Sequence, residues 1–178
     1  MKVFIAGPRA VTELDANVTK RLDKISSNNH SVIIGDADGI DSSVQRYFCN
    51  ENYQNICVFA SNGKARNNIG NWKIEHVVVE DNIKGFDFYA AKDLEMAKQA
   101  DYGFMIWNGE SKGTFCNIIN LISLDKEVIV YYIPTEKFYT IRDMRDLDEF
   151  IRQNKRLSSK LLKLVPKKTP GYMQMTML

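Results

Sequence analysis

The sequence has few of the residues that proteins use to bind metal ions or to form disulfide bonds. Its 178 residues include only two histidines and three cysteines, Cys49, Cys57 and Cys116. The cysteines are odd in number, and no two of them have the CxxC spacing of zinc and redox sites. We therefore expect free thiols, no disulfide framework, no metal and no cofactor.

Long apolar runs are absent as well. The opening residues, MKVFIAGPRA, form too short an apolar run for a signal peptide, and no stretch approaches the roughly 20 residues of a membrane-spanning helix. The composition, 44% hydrophobic and 26% charged, is that of ordinary soluble globular proteins. We expect a cytoplasmic protein that has no membrane partner.

Positive charge is concentrated near the C-terminus. Residues 151–178 contain seven Lys or Arg and no acid. Residues 1–150 therefore contain the other 17 of the 24 basic residues and all 22 acidic residues. A basic tail can bind nucleic acid, although most such tails are simply solvated. We therefore expect one domain in residues 1–135, followed by a C-terminal helix and basic tail in residues 136–178.

Short apolar runs alternate with segments of helical period. The runs KVFIAG, HSVIIG, NICVFA, EHVVVE, YGFMIW and EVIVYYI are predicted strands. Helices are predicted at 12–27, after Gly39, and at 87–99, 114–124 and 144–154, with a long loop at 61–72. Continuous apolar strands between helices indicate a sheet covered on both faces. The expected fold is α/β, a Rossmann-like three-layer sandwich with a mainly parallel sheet.

The loop after the first predicted strand is a candidate ligand contact, because ligands bind beyond the carboxyl ends of parallel strands. It contains Gly7, Pro8 and Arg9. Gly7 permits close approach of the backbone, and the guanidinium of Arg9 suits a phosphate or a carboxylate. A plain turn with a surface arginine would account for the same residues.

The loop after the second strand, GDADGID, is rich in glycine and acid. Gly35 and Gly39 bracket Asp36 and Asp38, and Asp41 lies at the predicted helix start. Asp41 could cap that helix or bind ribose hydroxyls. The three acids could also hold a metal ion, but their spacing departs from the EF-hand loop and no bidentate Glu follows. We expect a ligand contact without a metal.

The stretch NGESKGTFCNIINL combines a polar loop with the start of an apolar-striped helix. Gly109 and Gly113 give flexibility, Ser111 and Thr114 supply hydroxyl groups, and Lys112 adds positive charge. Backbone N–H groups at such a helix start converge on an anion, so we expect phosphate binding rather than a merely capped helix. The spacing is too short for a Walker A loop.

Three further side chains are candidates. Trp107 and Asn108 end an apolar strand, where an indole could stack on a base and an amide could bind its edge. A tryptophan buried in the core is the competing interpretation. Asp93 shares a helix face with Tyr89 and Met96 and could reach a ligand cleft, although most acids on helices are solvated.

The motifs IAGPR, GDADGID and SKGTFCNI together resemble those of the SLOG superfamily, which includes DprA-like, YspA-like and cytokinin-activating LOG proteins. GDADGID resembles the Gly-x-x-x-Gly-x-Asp motif of DprA-like members, and GTFCN resembles the Gly-Thr-x-x-Glu motif of LOG enzymes. IAGP, and Asp93 before QAD, are also similar to nucleoside 2-deoxyribosyltransferases. The resemblance covers roughly residues 1–135.

These resemblances imply a nucleotide or nucleoside ligand and, in two branches, cleavage of an N-glycosidic bond. That cleavage depends on a glutamate, and the matching position here is Asn117. An amide has no negative charge to stabilise the oxocarbenium-like state, so the expectation is a ligand-binding residue. Asp93 or Asp41 could still replace the missing carboxylate.

Three functions follow from the sequence. The first is binding of a nucleotide or nucleotide-derived signal in a sensor or sequestering role. The second is an N-glycosidase or deoxyribosyltransferase with Asp93 as the catalytic carboxylate. The third is DprA-like nucleic-acid binding in which the basic tail follows a phosphate backbone. We also expect a homo-oligomer, because proteins of this resemblance often pair.

Overall fold

A computed structural model of the protein describes residues 1–80, 82–154, 161 and 163–165. Its strands and helices alternate along most of the chain. The strands are β1 (Lys2–Ala6), β2 (Ser31–Gly35), β3 (Ile56–Ser61), β4 (Lys73–Val77), β5 (Tyr102–Trp107), β6 (Val128–Tyr132) and β7 (Lys137–Ile141). The α-helices are α1 (Ala16–Ser27), α2 (Ile40–Asn50), α3 (Phe86–Gln99), α4 (Lys112–Ser123) and α5 (Met144–Gln153), and a short 3₁₀ helix covers Ile133–Thr135.

The strands form one sheet in the order β4-β3-β2-β1-β5-β6-β7. Every neighbouring pair is parallel except β6 and β7, which are antiparallel. The chain proceeds outward from β1 to β4 and then returns to place β5 on the other side of β1. The loops that follow β1 and β5 therefore diverge at the carboxyl edge, and such a reversal of strand order is where ligands bind in open α/β sheets.

Apolar side chains cover both faces of the sheet. In β1, Val3 and Ile5 pack into a cluster with residues of α1 and α2, whereas Phe4 packs on the opposite face with residues of α3, α4 and α5. Alternation along the strand produces this division, because successive side chains point to opposite faces. The predicted α/β, Rossmann-like three-layer sandwich with a mainly parallel sheet is confirmed.

Several boundaries differ from the sequence prediction. The fourth strand begins at Lys73, two residues before the predicted run, and α4 begins at Lys112 rather than Thr114. The C-terminal part, expected to be a helix and tail, also contributes β7, which pairs with β6 through residues such as Tyr139 opposite Val130. Helix α5 packs Leu147 and Phe150 into the same core as β6.

The predicted basic tail falls outside the described residues except at positions 161 and 163–165. Among the residues that the structure does describe, no helix combines the length and the apolar character needed to cross a bilayer.

Candidate functional site

A cavity of about 590 Å³ opens at the carboxyl edge of the sheet, where the strand order reverses. This volume lies within the ordinary range for small-molecule and cofactor sites. Loops after β1, β2, β3 and β5 contribute to it, together with the first turns of α3 and α4. The sequence-predicted residues that line the cavity are Gly7, Pro8, Arg9, Asp41, Asp93, Asn108, Ser111, Lys112, Gly113, Thr114 and Asn117.

The start of α4 presents backbone donors to this cavity. Ser111 is the N-cap residue, and its side chain accepts a hydrogen bond from the backbone N–H of Thr114 at 3.4 Å. The N–H groups of Lys112 and Gly113 lie in the first turn of α4, where no carbonyl of the helix can accept a hydrogen bond from them. Neither group donates a hydrogen bond within the described residues. Lys112 adds a charge, with its ammonium 4.0 Å from the ring centre of Phe86. This wall can hold an anion through two N–H groups and one cation.

Trp107 does not stand at the rim of the cavity, contrary to our expectation. Its side chain is fully buried, stacks on Phe115 and donates through Nε1 to the Ser111 carbonyl at 3.0 Å. Helices cover both faces of β5, so even its last residue enters the core. Asn108 does line the cavity, but its Oδ1 accepts from the N–H groups of Glu110 and Ser111, both at 3.0 Å. These two side chains shape the loop that begins α4.

Two arginines from separate loops meet over one aromatic ring. The guanidinium carbons of Arg9 and Arg66 lie 4.6 Å and 4.8 Å from the ring centre of Tyr89. Asp36 fixes Arg66 by accepting from both its Nε, at 3.1 Å, and its NH2, at 2.6 Å. Arg9 is exposed and has no carboxylate partner in the described part of the chain. An uncompensated positive charge therefore remains beside Tyr89.

Asp36 was expected to contact ligand and instead holds Arg66. Its side chain is 5% exposed and does not line the cavity. Burial would raise the pKa of Asp36, but the hydrogen bonds from the Arg66 side chain and backbone outweigh burial and lower it. Asp36 is consequently charged at neutral pH, and it determines the position of the Arg66 guanidinium.

The floor of the cavity is a buried cluster of charged and polar groups. Lys92 is 3% exposed, and its ammonium lies 2.9 Å from Asp93 Oδ1. The other oxygen of Asp93 accepts from the Asn117 amide at 3.4 Å. Burial alone would lower the pKa of Lys92, yet the charges of Asp93 and Asp41 outweigh that effect and raise it. Lys92 is therefore a buried cation at neutral pH.

Asp41 belongs to this floor and does not cap its helix. The N-cap of α2 is Gly39, and the carboxylate of Asp41 accepts from the N–H of Ala37, at 3.3 Å, in the preceding loop. Its Oδ1 is buried with no hydrogen-bond partner within the described residues. Burial raises the pKa of Asp41 to about 7, with the Lys92 charge acting in the opposite direction.

Gly35 and Gly39 were expected to contact ligand and instead support the walls. A Cβ on Gly35 would lie 2.4 Å from Asp41 Oδ2 and 2.8 Å from the Lys92 ammonium, so a side chain would disrupt the floor. Gly39 has a φ of +77°, and a Cβ there would lie 2.4 Å from the backbone of Arg9. Neither glycine lines the cavity. Both allow the close approaches that bring its walls together.

Sequence reasoning missed Arg66, Phe86 and Lys92 as cavity residues. Arg66 lies in the polar loop at 61–72, which carries no recognisable binding motif. Phe86 and Lys92 lie on α3, and Lys92 directly precedes the predicted Asp93. A weak signal was available in α3, since Phe86 and Tyr89 are aromatic residues three positions apart on one helix face.

The cavity suits an anionic ligand with polar groups on the side opposite its charge. Arg9 and Lys112 are exposed cations at the opening, although the exposed acid Glu110 also lines it. The Asn117 Oδ1 has no hydrogen-bond partner in the described residues, although Asn117 is only 3% exposed. No group of three or more metal-binding side chains occurs within the described part of the molecule. The geometry thus offers anion binding at the opening and hydrogen bonding at the floor.

Comparison with known proteins supports the fold. No family model matches the sequence, and no curated protein matches it either. In structure, the chain is similar to DNA processing protein A from Helicobacter pylori, which was described for its single-stranded DNA binding mode. The similarity has a TM-score of 0.57 and 12% sequence identity, and it covers 93% of this chain and 78% of that one. The DprA-like part of the predicted resemblance is therefore supported in fold, whereas the wider SLOG and deoxyribosyltransferase similarities are not shown.

Proposed function

We propose that this protein binds single-stranded nucleic acid and places one nucleotide in the cavity at the carboxyl edge of the sheet. The observation that carries the proposal is the arrangement of Arg9 and Arg66 around Tyr89, in which Asp36 is the one carboxylate that forms an ion pair with them among the described residues. Guanidinium groups bind phosphate, and their planar faces, held here against the Tyr89 ring, can also stack on a base of an unpaired strand.

The start of α4 supports the same ligand. Lys112 and Gly113 both line the cavity at the first turn of α4, where the helix leaves its N–H groups without an internal acceptor. A phosphate there would satisfy donors that the helix itself cannot satisfy. The structural similarity to a protein known for binding single-stranded DNA makes the strand the favoured form of this ligand over a free nucleotide.

Fluorescence anisotropy with a labelled oligothymidylate of about 12 residues tests the proposal. Among the described residues that line the cavity, Arg9 and Lys112 are the cations without a carboxylate partner, so two neutralised phosphates predict a slope of about −1.4 for log K against log salt. A matched duplex should bind more weakly, because its bases cannot enter the cavity. A slope much steeper than about −3 would assign binding to cations outside the cavity, such as those of the basic tail.

Paired variants locate the contact. Arg9→Ala should weaken oligonucleotide binding and reduce the slope by about 0.7, because one phosphate contact is lost. Arg46→Ala is the matched control, since Arg46 is also exposed but lies on α2 away from this cavity. Glu110→Gln should strengthen binding by removing a like charge from the opening, a gain that misfolding cannot produce. Equal effects of Arg9→Ala and Arg46→Ala would refute the proposed site.

A free nucleotide in a sensor role is the neighbouring alternative, because a mononucleotide carries the same phosphate and base. Competition separates the two forms of ligand. If the strand is the ligand, a mononucleotide displaces the labelled oligonucleotide only at much higher concentration. If a mononucleotide binds as tightly as the strand, the sensor function replaces the one proposed here.

Cleavage of an N-glycosidic bond is a second candidate, and Asp93 is the observation that favours it. Its carboxylate lines the cavity with 22% of the side chain exposed, between Lys92 and Asn117. A carboxylate at this position could stabilise an oxocarbenium-like sugar. Release of free base from nucleosides or nucleotides, abolished in Asp93→Asn, would establish this activity. No base release by the wild type, together with intact binding, would leave the protein a binder.

A further inference from the structure

We propose that the floor of the cavity recognises the Watson–Crick edge of a base and favours guanine over the other bases. This inference rests on the proposed function and specifies which base the bound nucleotide carries. The floor consists of Asp41, Lys92, Asp93 and Asn117, which all line the cavity. Contacts to phosphate carry no sequence information, so the choice of base is left to these buried groups.

Asp41 is the side chain of the floor that lacks a partner. It is 6% exposed and lines the cavity, and its Oδ1 is a buried atom without a hydrogen-bond partner among the described residues. Its Oδ2 accepts one long hydrogen bond, from the N–H of Ala37 at 3.3 Å. Buried polar groups in folded proteins are nearly always hydrogen-bonded, and an ionised carboxylate has about four acceptor positions. A donor group of a ligand in the cavity would fill this capacity.

A cation and a second carboxylate lie close to Asp41. A Cβ on Gly35 would collide with both Asp41 Oδ2 and the Lys92 ammonium, so these two groups are neighbours. The ammonium donates to Asp93 Oδ1 at 2.9 Å, which uses one of its three donors. The charges of Asp93 and Asp41 raise the pKa of Lys92, as expected for carboxylates near one ammonium. The floor thus combines two carboxylates with one cation and is richer in acceptors than in donors.

The donor that reaches this floor must come from the base of a DNA strand. In an internal deoxynucleotide both O3′ and O5′ are bonded to phosphorus, so the sugar has no hydroxyl group to donate. Arg9 and Lys112 are exposed at the opening of the cavity, whereas Asp41 and Lys92 are buried. A nucleotide whose phosphate binds at the opening would therefore direct its base toward the floor.

Guanine has the edge that matches the groups of the floor. Its N1–H and its N2 amino group are two neighbouring donors, and its O6 is the single acceptor. The carboxylates can accept from the two donors while the Lys92 ammonium donates to O6. Thymine and cytosine present one donor group and two acceptors, and adenine presents one of each. Each of these bases leaves a buried acceptor of the floor unpaired, which weakens binding.

Competition against the labelled oligothymidylate tests the inference on the full-length protein. The competitors are the trinucleotides d(TTT), d(TGT), d(TAT) and d(TCT), which differ only in the central base. We expect d(TGT) to bind at least about fivefold more tightly than d(TTT), and more tightly than the other two, because well-placed base contacts discriminate by this factor or more. The measurement is made at about pH 8, because burial raises the pKa of Asp41 to about 7 and the ionised carboxylate is the acceptor.

Modified bases and one protein variant identify the atoms involved. Hypoxanthine lacks the N2 amino group of guanine, so the trinucleotide that carries it should lose part of the advantage. The base 7-deazaguanine keeps the whole Watson–Crick edge and should retain the advantage. Asp41→Asn should bring the ratio of the d(TGT) and d(TTT) affinities toward one. Asp38→Asn is the matched control, because Asp38 is exposed in the same loop and lies outside the cavity. This ratio does not respond to a general loss of folded protein.

The inference is overturned if d(TGT) binds no more tightly than the other trinucleotides, or if Asp41→Asn leaves the preference for guanine unchanged. It is also overturned if hypoxanthine binds as tightly as guanine, or if 7-deazaguanine loses the advantage.

Direct binding of the labelled oligothymidylate keeps this inference distinct from the proposed function. If the oligonucleotide binds and guanine has no advantage, only the inference about the base fails. If the oligonucleotide does not bind, calorimetry with the 5′-monophosphates of deoxyguanosine and thymidine decides. Tighter binding of the guanine nucleotide would then preserve the inference about the base without the strand, and equal or absent binding of the two would refute both.

Discussion

Two buried polar side chains one turn apart on α2 have very different hydrogen-bonding environments. Gln45 is fully buried, and its Nε2 donates to the carbonyls of Gly35 and Asn67 while its Oε1 accepts from the N–H of Ile69. Asp41 is almost as buried, but one of its oxygens has no partner within the described residues. Gln45 fastens the loop at 61–72, whereas Asp41 lies in the cavity.

The difference separates structural from functional polar residues. Buried polar groups in folded proteins are nearly always hydrogen-bonded, and a group that is not bonded must have a physical reason. Every polar atom of the Gln45 amide serves the packing of a loop. The floor of the cavity keeps a buried carboxylate oxygen on Asp41 that has no partner among the described residues. Asp41 therefore retains unused hydrogen-bonding capacity beside the cavity, whereas the Gln45 amide has none.

The largest effect expected is on stability, from removal of the buried cation. Lys92→Met leaves Asp41 and Asp93 without their cation. Removal of one partner of a buried ion pair lowers the free energy of unfolding by about 3–5 kcal/mol. We expect this loss in the free energy of unfolding measured by urea denaturation. The double variant Lys92→Met with Asp41→Asn should recover part of it, because one buried charge is then removed. Equal stabilities of the single and double variants would show that an uncompensated charge on Asp41 does not contribute to the loss.

Loss of the Gln45 amide should also destabilise the fold. Gln45→Leu leaves the Gly35 and Asn67 carbonyls and the Ile69 N–H without their partner, at a cost of about 2–3 kcal/mol. Arg66 lies in the same loop, at residues 61–72. Loosening of that loop should therefore also lower oligonucleotide affinity, although Gln45 itself does not line the cavity. Urea denaturation and anisotropy measure the two effects. A Gln45→Leu protein as stable as the wild type would show that the hydrogen bonds of the Gln45 amide do not stabilise the loop at 61–72.

Asp41 should make stability depend on pH. Burial raises the pKa of Asp41 from 3.8 to about 7, so between these values the folded protein holds a proton that the unfolded chain releases. The free energy of unfolding therefore decreases as pH rises through this window, by at most about 1.4 kcal/mol per pH unit. Urea denaturation from about pH 5 to about pH 7 should show a smaller decrease for Asp41→Asn. Parallel curves for the two proteins would mean that Asp41 is ionised throughout.

The smallest stability effect is expected at Asn117. Its side chain makes one long hydrogen bond, 3.4 Å to Asp93, so Asn117→Ala should cost about 1 kcal/mol or less. Oligonucleotide affinity should nevertheless fall severalfold, because the ligand loses its partner at the floor. Thermal unfolding measures the effect on stability, and anisotropy on the same preparation measures the effect on oligonucleotide affinity. A variant that loses stability and keeps its affinity would assign Asn117 to structure alone.

The sequence was sufficient to predict most of the fold, for a physical reason. Runs such as VFIA and FMIW are continuous and apolar because helices cover both faces of the sheet, and a strand with one solvated face would alternate with polar residues instead. Strand β7 escaped prediction because its residues, KFYTI, are mostly exposed at the edge of the sheet and lack an apolar run. Its signal was the aromatic and β-branched content after the turn at Glu136, whose φ is +54°.

Only part of the cavity could be predicted in the same way. Arg9 and Lys112 lie in loops that contain glycine and directly follow apolar strands. Both features are visible in the sequence and identify these loops as candidate ligand contacts. Arg66 and Tyr89 could not be paired from the sequence, because their contact depends on how the loop at 61–72 folds over α3. Trp107 shows the opposite case, since its position at a strand end suggested exposure and packing on Phe115 buries it.

Photo-cross-linking tests most directly the claim that a single strand enters this cavity. An oligonucleotide that carries bromodeoxyuridine is irradiated with the full-length protein, and the cross-linked peptide is identified by mass spectrometry after tryptic digestion. We predict a cross-link in GFDFYAAK, the peptide from Gly85 to Lys92 that contains Phe86 and Tyr89. Its yield should fall in Arg9→Ala and persist in Arg46→Ala. Cross-links confined to the residues after 154, with none in this peptide, would contradict the account.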